Sequence, residues 1–245
     1  TFKGSCPYYV ALNCELPPFT NRLVRQALNH AVNRDAIVRR LLNRAVAAQG
    51  PLPASMRGYD PGLKGYAYDP ARARLLLAEA GFPDGFETKL WCMPGDKIAL
   101  AVQEDLRAVG VRAELHIASW PALMSSMQRR RTVPMGSMNG PASDEPKDVL
   151  DFLLNGENIT DENCGNMAFY SNPEVHRLLR LAAISVREDQ RIRLYQQVER
   201  IVVQDAPWIF VCHGDFEMVC QPWLQGARIA PVWPPIRLEN CWLLR

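Results

Sequence analysis

From Arg22 onward the apolar residues Val24, Ala27, Leu28, Ala31 and Val32 recur three and four positions apart. That spacing puts them on one face of an α-helix. Asn21 stands just ahead, where a side-chain oxygen can cap the first free N–H groups. Arg22, Arg25, Asn29 and Arg34 fall mostly on the other faces of that helix. Asn33-Arg34-Asp35 interrupts the stripe, and Ala36, Ile37, Leu41 and Leu42 resume it. A second helix is therefore expected after a kink or tight turn.

Residues 49–68 carry Pro51, Pro53 and Pro61 with several glycines and show neither helical nor strand periodicity, which predicts a long ordered loop. Asp69-Pro70 restarts a helix, with Asp as its cap and Pro in the first turn, and Ala80-Gly81 ends it. A turn at residues 82–86 leads into a strand at 87–92, a helix follows at 98–109, and residues 111–117 alternate as a strand does. This strand, helix, strand order predicts a parallel pair. Beyond it the pattern predicts a short helix at 120–128, a strand at 132–138, an irregular turn at 140–146 and a helix at 147–154. Two further helices are expected at 173–181 and 187–205, then a hairpin of strands 208–213 and 216–221. The expectation is an α/β chain with a mixed sheet flanked by helices.

With 245 residues, 48% of them hydrophobic, the chain has enough apolar material for a packed core, which argues against disorder. No stretch approaches the roughly 20 apolar residues that span a bilayer, and the first residues lack a signal peptide's apolar run. The chain begins without Met, so the expectation is a processed form or a piece of something longer. Charge is balanced at a net +2, with 28 basic and 26 acidic residues spread along the chain, so no global field favours nucleic acid. The one dense basic run, Arg129-Arg130-Arg131, reads as a solvated helix end or an anion contact.

None of the seven cysteines lies in a spacing that pairs metal ligands, and the four histidines are scattered. No metal or other cofactor is expected. Cys212 and Cys220 flank Gly214-Asp215, which could turn a hairpin and bring the thiols together; buried free cysteine is the other reading. Adjacent strand residues point to opposite faces, so Cys212 and His213 do not make a nucleophilic dyad with each other. No nucleophile elbow, phosphate loop, dinucleotide fingerprint or zinc helix is present, and no enzymatic activity is expected. The carboxylates Asp144, Glu145, Asp148 and Asp151 read first as helix N-terminal charges.

Several motifs in order carry a resemblance. Asn13 followed by Pro17-Pro18-Phe19, then residues 24–28 (VRQAL) and 31–37 (AVNRDAI), resembles the signature of the family 5 extracellular solute-binding proteins. These are the dipeptide, oligopeptide and nickel-binding components of ABC importers. Gly50-Pro51-Leu52-Pro53, Tyr68-Asp69-Pro70 and residues 80–86 (AGFPDGF) continue it, as do Tyr170-Ser171-Asn172-Pro173 and Asp205-Ala206-Pro207-Trp208.

The resemblance implies one lobe of a type II periplasmic-binding-protein-like fold, in which two α/β lobes close over a solute. In that family this signature opens the second lobe. Residues 1–245 then form a single C-terminal lobe, with 1–13 and 231–245 as hinge-side segments. The implied partners are a peptide or other small polar solute, a missing N-terminal lobe and an ABC permease, through which alone the protein would meet the membrane. The implied location is periplasmic or extracellular. Peptide-binding members resemble one another in a turn where an Asp four residues before the proline of a Glu-Pro or Asp-Pro step pairs with the ligand's α-ammonium. Anchored on Glu145-Pro146, that position is Ala142, and the family's nearby tryptophan position is Asn139. Loss of such a buried charge partner costs about 2–5 kcal/mol of binding. A one- or two-residue shift would instead bring Asp144 into the role. The candidate ligand face is therefore Asn139, Gly140, Ala142 and Asp144, with Arg129 and Arg131 as carboxylate contacts. A different outcome is also open, in which the lobe stands alone as a structural or regulatory subunit without transport.

Overall fold

A computed structural model describes residues 2–41, 45–141, 143–161, 164–216, 220–229 and 236–244. Helix α1 (Arg22–Ala31) begins where expected, the Asn21 side chain accepting from the Leu23 N–H, and α2 (Arg34–Leu41) follows after a two-residue break. Helix α3 (Pro70–Glu79) takes Asp69 as its cap, the carboxylate accepting from the Arg72 N–H at 2.8 Å. Strand β3 (Glu87–Cys92), helix α4 (Lys97–Arg107) and strand β4 (Arg112–Ile117) form the predicted unit, and β3 and β4 pair in parallel.

The remaining elements of the main body are β1 (Phe2–Leu12), β2 (Val46–Ala47), α5 (Trp120–Met127), β5 (Met135–Asn139), α6 (Pro146–Leu154), α7 (Pro173–Ile184), α8 (Glu188–Asp205) and β6 (Trp208–Phe216). The six strands make one mixed sheet in the order β2-β6-β1-β5-β3-β4. Two separate two-stranded ribbons, Leu224–Gln225 with Trp242–Leu243 and Arg228–Ile229 with Ile236–Arg237, follow. Each face of the main sheet carries its own apolar core. Val10, Leu12, Leu90 and Val211 pack against α1, α3 and α4, while Tyr9, Met138, Trp208 and Phe210 pack against α5 to α8. Tyr9 and Trp208 stack with ring centroids 3.7 Å apart.

One expectation is corrected. Gly214 and Asp215 continue β6 as extended strand instead of turning, because β1 runs alongside and pairs Cys6 with Gly214. The second strand of the predicted hairpin lies partly at 217–219, outside the described residues, and Cys212 and Cys220 are both free thiols. Residues 231–245, expected on the hinge side, are likewise only partly described.

The polar positions of α1 and the start of α2 are not all exposed. Arg25, Asn29 and Arg34 are buried, because this side of the helix pair meets the start of β6. Arg25 donates to the carbonyls of Phe19 and Asp205 at 2.7 Å and Asn29 to that of Trp208 at 2.8 Å. Asn29 Oδ1 accepts from the Phe210 N–H, and Arg34 donates to Phe210 O, to Tyr66 O at 2.7 Å and to Asn29. These side chains satisfy backbone groups that would otherwise be orphaned in the core. The motif residues Tyr170, Asn172 and Asp205 also meet, the Tyr170 hydroxyl and Asn172 amide both donating to Asp205 Oδ2 at 2.6 and 2.7 Å.

Candidate functional site

Strand direction decides where a site can form. Strand β3 is parallel to β4 and β5, and β1 is antiparallel to β5 and β6. The C-terminal ends of β3, β4, β5 and β6 therefore share one edge of the sheet, at the N-terminal side of β1. In open α/β sheets ligands bind outside the carboxyl ends of the strands, where the following loops diverge.

The predicted turn sits at that edge. Asn139 closes β5 opposite Tyr8, and the Gly140 N–H donates to the Pro7 carbonyl at 2.8 Å. Asn139 is exposed and Gly140 buried, with the Cys6 thiol donating to the Gly140 carbonyl at 3.2 Å. Ala142 lies outside the described residues. Ser143 holds the turn against α6, its hydroxyl donating to Asp148 Oδ2 at 2.6 Å and accepting from the Glu145 N–H at 3.0 Å. Asp144 and Glu145 are exposed beside it.

Arg129 and Arg131 are not brought to this turn. They precede β5, whereas Asn139 ends it, and five residues of strand span roughly 13 Å between first and last Cα. Arg130 and Arg131 instead face Glu15, just beyond the other end of β1, Arg131 at 3.6 Å. The hydrogen bond from Arg130 holds the Glu15 carboxyl below the usual carboxylate range.

Sequence reasoning missed the side chains that β1 and β6 bring to the same edge. Tyr8 is half-buried, and its ring lies over Gly214: a Cβ there would sit 2.6 Å from Tyr8 Cε2. Burial pushes the Tyr8 phenol up to about 12, with Cys6, Cys212 and Asp96 acting in the same direction, so it remains a neutral donor. Burial likewise pushes the Cys6 thiol up to about 11 and Cys212 to about 12, which leaves neither as a thiolate near neutral pH. Burial pushes the His213 imidazole down to about 4, against the opposing carbonyls of Gly50 and Pro51. The only local signal for this cluster is Gly214 in an apolar run, and glycine in a strand often marks a close approach. Among the described residues no group of three or more His, Cys, Asp and Glu side chains could hold a metal ion. Among them, too, no helix is long and apolar enough to cross a membrane.

Residues 1–161 match the family model "Bacterial extracellular solute-binding proteins, family 5 Middle". The chain is 35% identical over 222 residues to heme-binding protein A of Haemophilus influenzae, covering 86% of this chain and 40% of that protein. Among solved structures it resembles an ABC transporter-associated periplasmic binding protein, DppA from Helicobacter pylori, in complex with the peptide STSA. There the TM-score is 0.82 at 26% identity, over 86% of this chain and 42% of the other. It also superposes over its whole length on half of a dipeptide-binding protein from Pseudoalteromonas sp. SM9913 in complex with Met-Leu, with TM-score 0.88 and 25% identity. The chain thus spans 40 to 50% of the length of these relatives.

Proposed function

Because the chain belongs to the family 5 bacterial extracellular solute-binding proteins, we propose that it is the C-terminal lobe of an ABC importer receptor and binds a peptide or other small polar solute between two lobes. The observation that carries this reading is the shared carboxyl edge of β3 to β6, with the Asn139 to Asp144 turn standing on it. Residues 1–13 and 231–245 are its hinge-side segments. Solute contacts spanning both lobes would favour the closed form, which the permease then senses. On this lobe the turn supplies Asn139, Gly140, Ala142 and Asp144, with Tyr8 beside them. Arg129 and Arg131, at the far end of β5, stand outside that contact set. The exposed Asp144 is the carboxylate available to an α-ammonium, and the relative named for heme makes a flat, hydrophobic solute the competing choice. The setting is the periplasm or cell exterior.

The intact mass of the natural protein tests the first part: a value well above 27.6 kDa agrees with a second lobe, and a value of 27.6 kDa contradicts it. Fluorescence titration of that natural protein with the dipeptide Met-Leu and with haemin tests the second. Saturable binding that weakens at least tenfold in Asn139→Ala or Asp144→Ala is expected, and affinity unchanged in both would remove the turn from the site.

A further inference from the structure

Strand β4 ends the six-stranded sheet, and the parity of its backbone groups is fixed by its single neighbour. Arg112 donates its N–H to Phe86 O at 2.8 Å, and Ala118 donates to Cys92 O at 3.0 Å. In a parallel pair the N–H and C=O of one residue point to the same side, so Arg112, Glu114 and His116 serve β3. Ala113, Leu115 and Ile117 therefore point their backbone groups away from the sheet. Among the described residues only the Ala113 carbonyl of these has a partner, the Gln103 amide at 2.7 Å. No proline or bulge interrupts the strand, the usual means of blunting such an edge.

We propose that this edge pairs with β4 of a second copy of the chain, antiparallel and centred on Leu115, joining two six-stranded sheets into one. A two-fold axis through Leu115 sets it opposite the partner's Leu115 as a hydrogen-bonded pair and sets Ala113 opposite the partner's Ile117. Every outward N–H then finds a carbonyl, the partner's Ile117 N–H taking the second lone pair of the Ala113 oxygen beside the Gln103 amide. The side chains match in the same register. Glu114 falls opposite the partner's His116, twice by symmetry, as a carboxylate facing an imidazole that lies tilted by 32° against Trp91 of its own copy, ring centroids 3.8 Å apart. On the other face the half-buried Leu115 meets its own copy, and Ile117, 61% exposed in the single chain, falls opposite Ala113, which its own core already buries. Centring on Ala113 instead would require Val111, whose N–H is already donated to Leu106 O at 3.0 Å. The occupant is thus selected by backbone parity and by charge complementarity together. It is independent of the solute-binding reading.

Sedimentation equilibrium of the purified chain, with amide hydrogen exchange by NMR across a concentration series, tests the pairing. The expected result is a monomer–dimer equilibrium in which the amides of Ala113, Leu115 and Ile117 gain protection with concentration while their even-numbered neighbours, already bonded to β3, do not change. Ile117→Pro removes an outward N–H from each copy without touching the β3 ladder, and it should raise the dimer Kd roughly 30-fold, the loss of two hydrogen bonds. Glu114→Lys, which sets a cation against the imidazole, should weaken the dimer in the same direction while leaving the far-UV spectrum unchanged. A chain that stays monomeric at NMR concentrations overturns the proposal. So does a dimer in which the three odd-numbered amides exchange as they do in dilute solution.

Discussion

Glu199 sits on α8 with no exposed surface, and its two oxygens accept from the backbone N–H groups of Leu52, at 3.3 Å, and Asp60, at 2.9 Å. It pins both ends of a loop stretch in which Gly58 approaches Tyr195 and Pro146. Burial raises its carboxyl from an ordinary value of 4.5 to about 8, against the lowering effect of the two N–H groups. The native state then keeps a proton that the unfolded chain releases above pH 4.5. Stability contributed by Glu199 is full below that pH and is lost as pH rises through 8. His213 acts oppositely: its native value of about 4 lies below the ordinary 6.5, so its contribution is present above 6.5 and is lost as pH falls through 4. The two effects offset each other between pH 4.5 and 6.5, which leaves pH 6.5 to 8 as the window for Glu199. At about 1.4 kcal/mol per pH unit the protein should lose about 2 kcal/mol of unfolding free energy across that window. Urea unfolding at pH 6.5, 7.2 and 8 measures it. Glu199→Gln should abolish the slope, although its amide turns a donor toward one of the backbone N–H groups and lowers stability by about 1–3 kcal/mol at every pH. A wild-type curve that is flat from pH 6.5 to 8, or a Gln variant with the same slope, would show that the two N–H groups already hold an ionised carboxylate and that the reasoning from burial is wrong.

Asn29→Ala removes the partner of four buried groups, the carbonyls of Arg25 and Trp208, the Phe210 N–H and the Arg34 guanidinium, and should cost about 3 kcal/mol in chemical denaturation. Gly85→Ala should cost at least about 2 kcal/mol, since its φ of 79° lies in the left-handed region and the new Cβ would meet the Gly110 carbonyl oxygen 2.0 Å away; a melting temperature within a degree of wild type would contradict it. Gly214→Val should push the Tyr8 ring off β6, read as a change in tyrosine fluorescence together with about 1–3 kcal/mol lost by overpacking.

Local chemistry was legible wherever its cause was local. Asn21 and Asp69 cap their helices through their own side chains, and the alternation in 111–117 matches β4 to within a residue. The resemblance of the 13–37 stretch to family 5 signatures agrees with the family match. The candidate site was legible only as one turn. Asn139 to Asp144 is continuous in sequence, but Tyr8 and Gly214 are separated by more than half the chain and meet because β1 and β6 pair. The same limit explains why the burial of Arg25, Asn29 and Arg34 does not show in the pattern. Periodicity marks the face that carries apolar side chains, and it carries no information about a second surface closing over polar ones.

What the sequence alone determined, then, is most of the elements from α1 to α8, several of their caps and the family, because helix and strand periods and capping groups act within a few residues. Tertiary structure decided which strand ends share an edge, which arginines are buried, and that Arg129 and Arg131 lie a strand's length from Asn139. Those outcomes depend on strand order and direction, which arise from hydrogen bonds between segments as distant as Tyr8 and Cys212 and from the burial that their pairing imposes.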